Sequence, residues 1–253
     1  MEKTTFDFGY GPVPAHQHAN GGGWVAETAY VADTAFVGSE ARVYDEAQVC
    51  DKALVCDNAQ VCDNARVCGE AWVYGEALVC DNAQVCGNAR VCGNALVCDN
   101  ALVCDKAQVY GEARVYGNAR VYGNAQVYGN ARVYGNAQVY GEARVYGNAQ
   151  VYGNAQVYGN AQVCDKARVC DKAQVCDKAR VTTTPLVISG LEYAVTVCDN
   201  QVQIGCKTVP ATTQLSADLL PDETCPVLRA CAHTLIPLIQ AHYARVQAEA
   251  RHD

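Results

Sequence analysis

Large apolar side chains are scarce in this sequence. Only three Phe, one Met and two Trp occur among its 253 residues, although half of the residues are hydrophobic. An ordinary globular core draws on a broader mixture of large side chains, so this composition argues against one. The hydrophobic residues are mainly Ala and Val, which indicates a periodic structure built from small and β-branched side chains.

The chain also lacks the signals that direct proteins to membranes, to export or to nucleic acids. No run approaches 18 consecutive apolar residues, and no apolar stretch follows a basic start at the N-terminus. The net charge of −8 is spread thinly, without a basic patch. We therefore expect a cytoplasmic protein that binds neither a membrane nor nucleic acid.

Histidine is missing from most of the chain. The five histidines are His16, His18, His233, His242 and His252, so none lies between residues 18 and 233. General acid–base catalysis near neutral pH needs a group that titrates there, and His is the usual one. The sequence therefore predicts no catalytic residue, no cofactor-binding residue and no metal ligand, and hence no enzyme.

A hexapeptide repeat occupies the middle of the sequence. Every sixth residue from Val25 to Val181 is Val, which gives 27 units without an insertion, and from Ala29 an Ala stands two residues before each Val. From Ala41 the unit reads A-x-V-[YC]-[GD]-[NEK]. In an extended strand Ala and Val face the same side, and Gly or Asn in the next positions tolerates the positive φ of a corner.

Three such units form a coil of 18 residues that buries its Val and Ala only by stacking on the next coil. The 27 units then make about nine triangular coils, a prism of about 43 Å at roughly 4.8 Å per rung. We predict three regions: an irregular N-terminal cap over 1–23, the repeat solenoid over 24–181, and a C-terminal module over 182–253.

The repeat resembles the [LIV]-[GAED]-x-x-[STAV]-x signature of the hexapeptide-repeat superfamily. The first units match it fully, as V-A-E-T-A-Y, V-A-D-T-A-F and V-G-S-E-A-R, whereas from Val43 the second position becomes Tyr or Cys. The resemblance implies an all-β solenoid, a left-handed parallel β-helix. It is closest to uncharacterised polymer-forming or prophage-type hexapeptide-repeat proteins, which would make the chain phage-encoded and its partner a host protein.

The same superfamily includes trimeric acyltransferases, in which a His on a coil or loop is the general base and acyl-coenzyme A lies between subunits. An acyl-coenzyme A-dependent acyltransferase is therefore an alternative function. The missing internal His and the absence of loops between repeats argue against it.

Tyr follows every periodic Val from Val109 to Val157, in the C-terminal half of the repeats, before Cys returns in the last coil. At an 18-residue spacing these residues form three short ladders, with rings close enough to stack. Tyr is enriched at protein interfaces, so the ladders are either internal stabilisation or a face that binds a protein or a second copy. The candidate interaction residues are Tyr110, Tyr116, Tyr122, Tyr128, Tyr134, Tyr140, Tyr146, Tyr152 and Tyr158.

Cysteine takes the same position in the N-terminal half. Twelve of the 16 cysteines directly follow a periodic Val. The predicted columns include Cys50, Cys68, Cys86 and Cys104 on one face and Cys62, Cys80 and Cys98 on another. Neighbours one rung apart are too distant for a disulfide, and a straight column does not converge four ligands on zinc. We interpret them as compact surface residues; a thiol-based metal-binding or redox protein is the second alternative.

The C-terminal module begins at residue 182, where the repeats stop at Thr182-Thr183-Thr184-Pro185. Residues 191–209 alternate around Asp199-Asn200, which predicts a β-hairpin that closes the last coil. A helical segment follows, with its start near Thr224 and Pro226 and a kink or break at Pro237. Its apolar face either packs on the hairpin or binds a partner, and consists of Leu235, Ile236, Leu238, Ile239, Tyr243 and Val246.

These features together favour a non-enzymatic structural or protein-interaction scaffold. It would present regular faces of Tyr, Cys, Gln and Arg, and would either associate with itself or bind another protein.

Overall fold

A computed structural model describes residues 4–188, 195–204, 207–210 and 232–249. The repeats form a parallel β-solenoid of nine coils, in which each strand pairs with the strand 18 residues further on, as Val67 does with Val85. This register confirms the coil length and the number of coils that the repeat predicts. The left hand of the helix stays a prediction from the resemblance.

Three parallel sheets form the sides of the solenoid. The first face contains β3 (Trp24–Ala26), β6 (Arg42–Val43), β9 (Gln60–Val61), β12 (Leu78–Val79), β15 (Leu96–Val97), β18 (Arg114–Val115), β21 (Arg132–Val133), β24 (Gln150–Val151) and β27 (Arg168–Val169). The second face contains β4 (Tyr30–Val31), β7 (Gln48–Val49), β10 (Arg66–Val67), β13 (Gln84–Val85), β16 (Leu102–Val103), β19 (Arg120–Val121), β22 (Gln138–Val139), β25 (Gln156–Val157) and β28 (Gln174–Val175). The third face contains β5 (Phe36–Val37), β8 (Leu54–Val55), β11 (Trp72–Val73), β14 (Arg90–Val91), β17 (Gln108–Val109), β20 (Gln126–Val127), β23 (Arg144–Val145), β26 (Gln162–Val163) and β29 (Arg180–Val181).

The core consists of the repeat Ala and Val side chains. From Ala35 to Val181 every one of them is at most 1 % exposed, and they form one continuous cluster along the axis. Backbone hydrogen bonds hold the coils together: within a unit the N–H groups of Gln48, Cys50 and Lys52 donate to carbonyl oxygens of the next coil, each at 2.9 Å. Stacking therefore satisfies both the apolar side chains and the backbone of each short strand.

The corner residue after Tyr or Cys adopts the left-handed conformation. From Asp45 onward the Gly residues at this position have φ of 66–75° and the Asp residues have φ of 54–60°. The sequence indicated Gly and the following Asn as the permissive residues, whereas the structure uses Gly and Asp. Asp is one of the few other residues that enters this region, because its short polar side chain bonds locally.

The segment before the repeats is more regular than the predicted irregular cap. Strands β1 (Thr5–Asp7) and β2 (Pro12–Gln17) form an antiparallel hairpin, and β2 adds to β3 at the start of the first face. The Asp7 carboxylate accepts the N–H groups of Gly9 and Gly11 at 2.7 and 2.9 Å, which stabilises the turn.

From the sequence, Trp24 is an apolar side chain able to cover the first rung, but it lies on the outer side of β3. Its ring stacks on Phe6 with 4.5 Å between centroids. The glycine run covers part of the end instead, since the Gly23 N–H donates to the Val37 carbonyl at 2.9 Å. A Cβ on Gly23 would come within 2.3 Å of the Gly38 oxygen, so this close approach requires glycine.

A four-stranded antiparallel sheet follows the last coil. It consists of β30 (Leu186–Ile188), β31 (Val195–Val197), β32 (Gln201–Ile204) and β33 (Lys207–Pro210). The hairpin of β31 and β32 around Asp199-Asn200 confirms the prediction, and two further strands extend it. Cys198, in its loop, is fully buried against the Val and Ala core. The hairpin therefore closes the end of the solenoid.

One helix, α1 (Ala232–Glu249), packs on this sheet. Ile239 is 5 % exposed and contacts the cluster of Val195, Val197, Val202 and Ile204. The helix continues through Pro237, where the sequence indicated a kink or break, whereas its predicted start near Thr224 falls outside the described residues. Among the described residues, no helix combines the length and apolarity needed to cross a bilayer.

Candidate interaction faces

The nine predicted tyrosines form three stacked ladders, one on each face. Successive rings are parallel within 5°, with centroids 4.9 or 5.0 Å apart. The ladders are Tyr116, Tyr134 and Tyr152 on the first face, Tyr122, Tyr140 and Tyr158 on the second, and Tyr110, Tyr128 and Tyr146 on the third. The spacing equals the separation of the coils, so the backbone register sets the stack.

The ring hydroxyls are tied to the next coil. Tyr134 donates to Oε1 of Gln150 at 3.3 Å, and Tyr122 makes the same bond to Gln138. At the end of the first ladder, the Arg168 guanidinium donates to the Tyr152 hydroxyl at 2.9 Å and lies 5.5 Å from its ring centroid. These bonds, and a similar one from Tyr146 to Gln162, hold four of the nine rings along their faces, and all nine rings are half-buried.

Burial and hydrogen bonding raise the pKa of several ladder tyrosines. Burial raises the pKa of Tyr110, Tyr116 and Tyr140, and a hydrogen bond with Cys164 raises that of Tyr146 to about 12. A partner would therefore meet uncharged phenol groups beside Gln and Arg side chains.

The cysteine columns continue the same rows toward the N-terminus. All 13 cysteines of the described residues are free thiols. On the second face, burial raises the pKa of Cys104 to about 11 and also raises that of Cys68 and Cys86. On the first face the hydrogen bond shared with Cys80 lowers the pKa of Cys98, while hydrogen bonds with Cys62 and Cys98 raise the pKa of Cys80.

One group on the first face has the side chains needed to hold a metal ion. The sulfur atoms of Cys80 and Cys98 and a carboxylate oxygen of Asp81 all lie within 4.8 Å of one another. From the sequence we expected no metal ligand, because a straight column of cysteines does not bring four ligands together around one zinc ion.

Trp72 is a feature of the third face that sequence reasoning underrated. Its side chain is 43 % exposed, and the Arg90 guanidinium lies 5.1 Å above its ring. The 18-residue register places these two residues on neighbouring rungs. Together with Glu70 and Asn88 they line a shallow surface site within the Cys-rich half.

His16 makes a side-chain contact with Glu27 that the sequence did not reveal. Its Nδ1 lies 2.8 Å from Oε1 of Glu27, with both side chains at least half exposed. The two residues are 11 positions apart in sequence, and the antiparallel pairing of β2 with β3 brings them together. From the sequence alone, His16 is expected only to be a solvated residue near the N-terminus.

The predicted face of the C-terminal helix is divided by its packing. Ile239 and Tyr243 contact the C-terminal sheet, whereas Leu238 is 52 % exposed and Ile236 is half-buried. Leu235 and Val246 lie within the helix, but their side chains are outside the described part of the chain. Ile239 and Tyr243 of the predicted apolar face therefore pack on the C-terminal sheet. That the other residues of this face bind a partner stays a prediction.

The uninterrupted coils and their register define a β-solenoid repeat protein. A family model described as YdcK Beta solenoid repeat matches residues 59–75, 83–99, 113–125, 125–141, 137–153 and 149–165. These stretches lie in both the Cys-rich and the Tyr-rich parts. A comparison with curated proteins found no match. The resemblance to acyltransferases stays a prediction.

Proposed function

We propose that this protein is a non-enzymatic scaffold whose flat faces bind a protein partner. The observation that carries the proposal is the set of three parallel Tyr ladders on a solenoid of nine unbroken coils.

Rigidity and composition support this function. Each coil is bonded to the next through three backbone groups per unit, so the ladder side chains are fixed before a partner arrives. Preorganised side chains lose little freedom on binding, and Tyr supplies a large contact area with few rotatable bonds. The row of Gln and Arg beside each ladder offers hydrogen bonds that orient the partner.

The partner is either another protein or a second copy of this chain. The resemblance to prophage-type repeat proteins favours a host protein, and we place the encounter in a reducing cytoplasm, where free thiols persist. Light scattering over a concentration series distinguishes the two cases, because self-association raises the molar mass without any added protein.

The test removes one ladder at a time. Three variants change all three Tyr of one face to Ser, which has the size of the Cys used elsewhere in the same columns. Matched controls change the same Tyr to Phe, which keeps the stack and removes the hydroxyls. The chains are used as bait in host lysate under reducing conditions, and in light scattering, with circular dichroism as the check of folding.

We expect one Ser variant to lose a captured protein, or the self-association, while the other two faces retain it. The corresponding Phe variant should bind at least partly, because the aromatic surface remains. Equal capture by all three folded Ser variants would show that the ladders only stabilise the solenoid.

Acyl transfer is the second candidate function, and the His16–Glu27 pair is the observation that favours it. A carboxylate that fixes and polarises a His is a common arrangement for a general base. Turnover of an acyl-coenzyme A donor that is abolished by His16→Ala would support this function in place of the scaffold. No turnover, or turnover unchanged in the variant, removes this pair as a base.

A further inference from the structure

Three thiols stand on successive rungs of the first face. Cys62, Cys80 and Cys98 directly follow β9, β12 and β15, whose Val residues pair in register. Cys62 is buried, whereas Cys80 and Cys98 are partly exposed, so a small ion reaches the column from solvent.

The spacing of the column suits a cation between two sulfurs. Neighbouring rungs are separated by about 4.8 Å. Two metal–sulfur bonds of about 2.3 Å placed end to end span about 4.6 Å. A cation between Cys80 and Cys98 would therefore meet the sulfurs on opposite sides, in a nearly linear arrangement.

Linear two-sulfur binding selects a particular kind of metal. Soft thiolates favour Cu(I) and zinc among the physiological ions, but structural zinc requires four ligands arranged as a tetrahedron. Cu(I) is stable with two sulfur ligands, and a straight column supplies two neighbours to each cation. The same separation prevents a disulfide, because the Cβ atoms of bonded cysteines lie about 3.5–4.5 Å apart.

Carboxylates distinguish this column from the one on the second face. Asp81 Oδ2 accepts a hydrogen bond from the Cys80 thiol at 3.6 Å, and Asp63 Oδ2 accepts one from Cys62 at 3.3 Å. On the second face, the central cysteines Cys68 and Cys86 are followed by glycines, so no carboxylate adjoins them in sequence. On the first face, therefore, the central thiols of the column donate directly to carboxylates that can attract a cation, whereas Asp51 and Asp105 act on Cys68 and Cys86 only from neighbouring coils.

We propose that Cys80 and Cys98 bind Cu(I) through their sulfurs, with the Asp81 carboxylate as a third, weaker oxygen ligand. Each thiol gives up its proton to solvent as its sulfur bonds to the cation, and no group is oxidised or reduced. Cys62 provides a second pair with Cys80, so Cys80 is the shared residue of the column.

The experiment titrates the full-length reduced chain with Cu(I) under argon. The Cu(I) is supplied as its complex with a colorimetric chelator, so that retention by the protein is read as loss of the chelator colour. X-ray absorption at the copper edge then counts the sulfur ligands. We expect a first equivalent that outcompetes the chelator and has two sulfur neighbours.

Variants localise the site. Cys80→Ser removes the shared sulfur and should abolish the tight first equivalent. Cys86→Ser is the matched control, because it removes one central thiol from the second-face column, where no carboxylate directly follows the thiol, and should retain that equivalent. Asp81→Asn keeps a residue that tolerates the left-handed corner conformation. It should weaken Cu(I) binding about tenfold, the lower end of the loss of affinity found when a supporting contact to a metal site is removed.

Three results would overturn the proposal. The first is that the native chain releases all Cu(I) to the chelator. The second is that Cys80→Ser and Cys86→Ser lose the same amount of copper, and the third is that the first equivalent has four sulfur neighbours. Circular dichroism confirms the fold of each variant, and Cys80→Ala replaces Cys80→Ser if the latter fails to fold. None of these readouts depends on the Tyr ladders.

Discussion

The corner residues determine how tightly the chain turns and how the corners stack. Asp99 and Asp105 hold left-handed backbone conformations, and their carboxylates accept the N–H groups of Gly117 and Gly123 at 2.8 and 3.0 Å. Each acceptor belongs to one coil and each donor to the coil above. An Asp corner therefore satisfies a backbone group that a Gly corner leaves to water, and this bond helps to offset the cost of its conformation.

Asp105→Ala tests this account of the corner. Ala keeps the Cβ in the left-handed region but loses the acceptor for Gly123, so the free energy of unfolding should fall by about 1–2 kcal/mol. Asp105→Asn keeps an oxygen acceptor and should stay within about 0.5 kcal/mol of the native chain. Urea titrations measure both. An Ala variant as stable as the Asn variant would show that the carboxylate contributes nothing at the corner.

At the scale of the elements, stability is repeated along columns rather than concentrated in a few contacts. A two-residue strand such as β21 has little stability of its own, and gains it from the rungs above and below. The Tyr ladders follow this rule, because an inner ring has two stacked neighbours and an outer ring has one.

The position of a Tyr in its ladder should therefore determine its contribution. Tyr134 stacks on Tyr116 and Tyr152, each at 4.9 Å between centroids. Tyr134→Ser should lower the free energy of unfolding by about 1–3 kcal/mol, from two contacts of about 0.5–1.5 kcal/mol each. Both Ser variants also lose the burial of one ring, so Tyr116→Ser, which loses one such contact, should cost less than Tyr134→Ser by about 0.5–1.5 kcal/mol, and Tyr134→Phe should cost least.

Urea titration of the three variants measures this order. Equal losses for Tyr134→Ser and Tyr116→Ser would contradict a contribution from ring stacking, and would leave only the burial of each single side chain.

Most of the solenoid was predictable because its period is visible in single residues. The periodic Val residues from Val25 to Val181 indicate which strands pair in the solenoid. That register correctly placed the Tyr and Cys residues in columns. The alternation that turns Val25 inward also turns Trp24 outward, so the position of Trp24 was available but overlooked. Two contacts could not be predicted from the sequence: the hydrogen bond that the Gly123 N–H donates to Asp105, and the pairing of His16 with Glu27. Both depend on contacts between chain segments that no local pattern records.

At the scale of the whole molecule, the ends decide whether the solenoid stays a single particle. An exposed terminal rung presents unpaired N–H and C=O groups, a template for another copy. At the C-terminal end Asp199 and Asn200 prevent this: the Asn200 side chain bonds the backbone of Arg180 and Lys178 at 2.8 and 2.9 Å. The Asp199 carboxylate accepts the N–H of Thr182 at 2.7 Å.

Removing these two side chains should release the cap and cause end-to-end association. In a chain with both Asp199→Ala and Asn200→Ala, the last coil loses the four hydrogen bonds made by these side chains, which loosens the hairpin that holds Cys198 against the core. The molar mass from light scattering should then rise with concentration above that of the native chain. The control, Asn118→Ala with Asn136→Ala, changes two mid-solenoid corners whose side chains make no hydrogen bond within the described residues, and should match the native mass. A capless variant that also matches it would show that the terminal rung does not need covering, and that association of this chain is controlled from its faces.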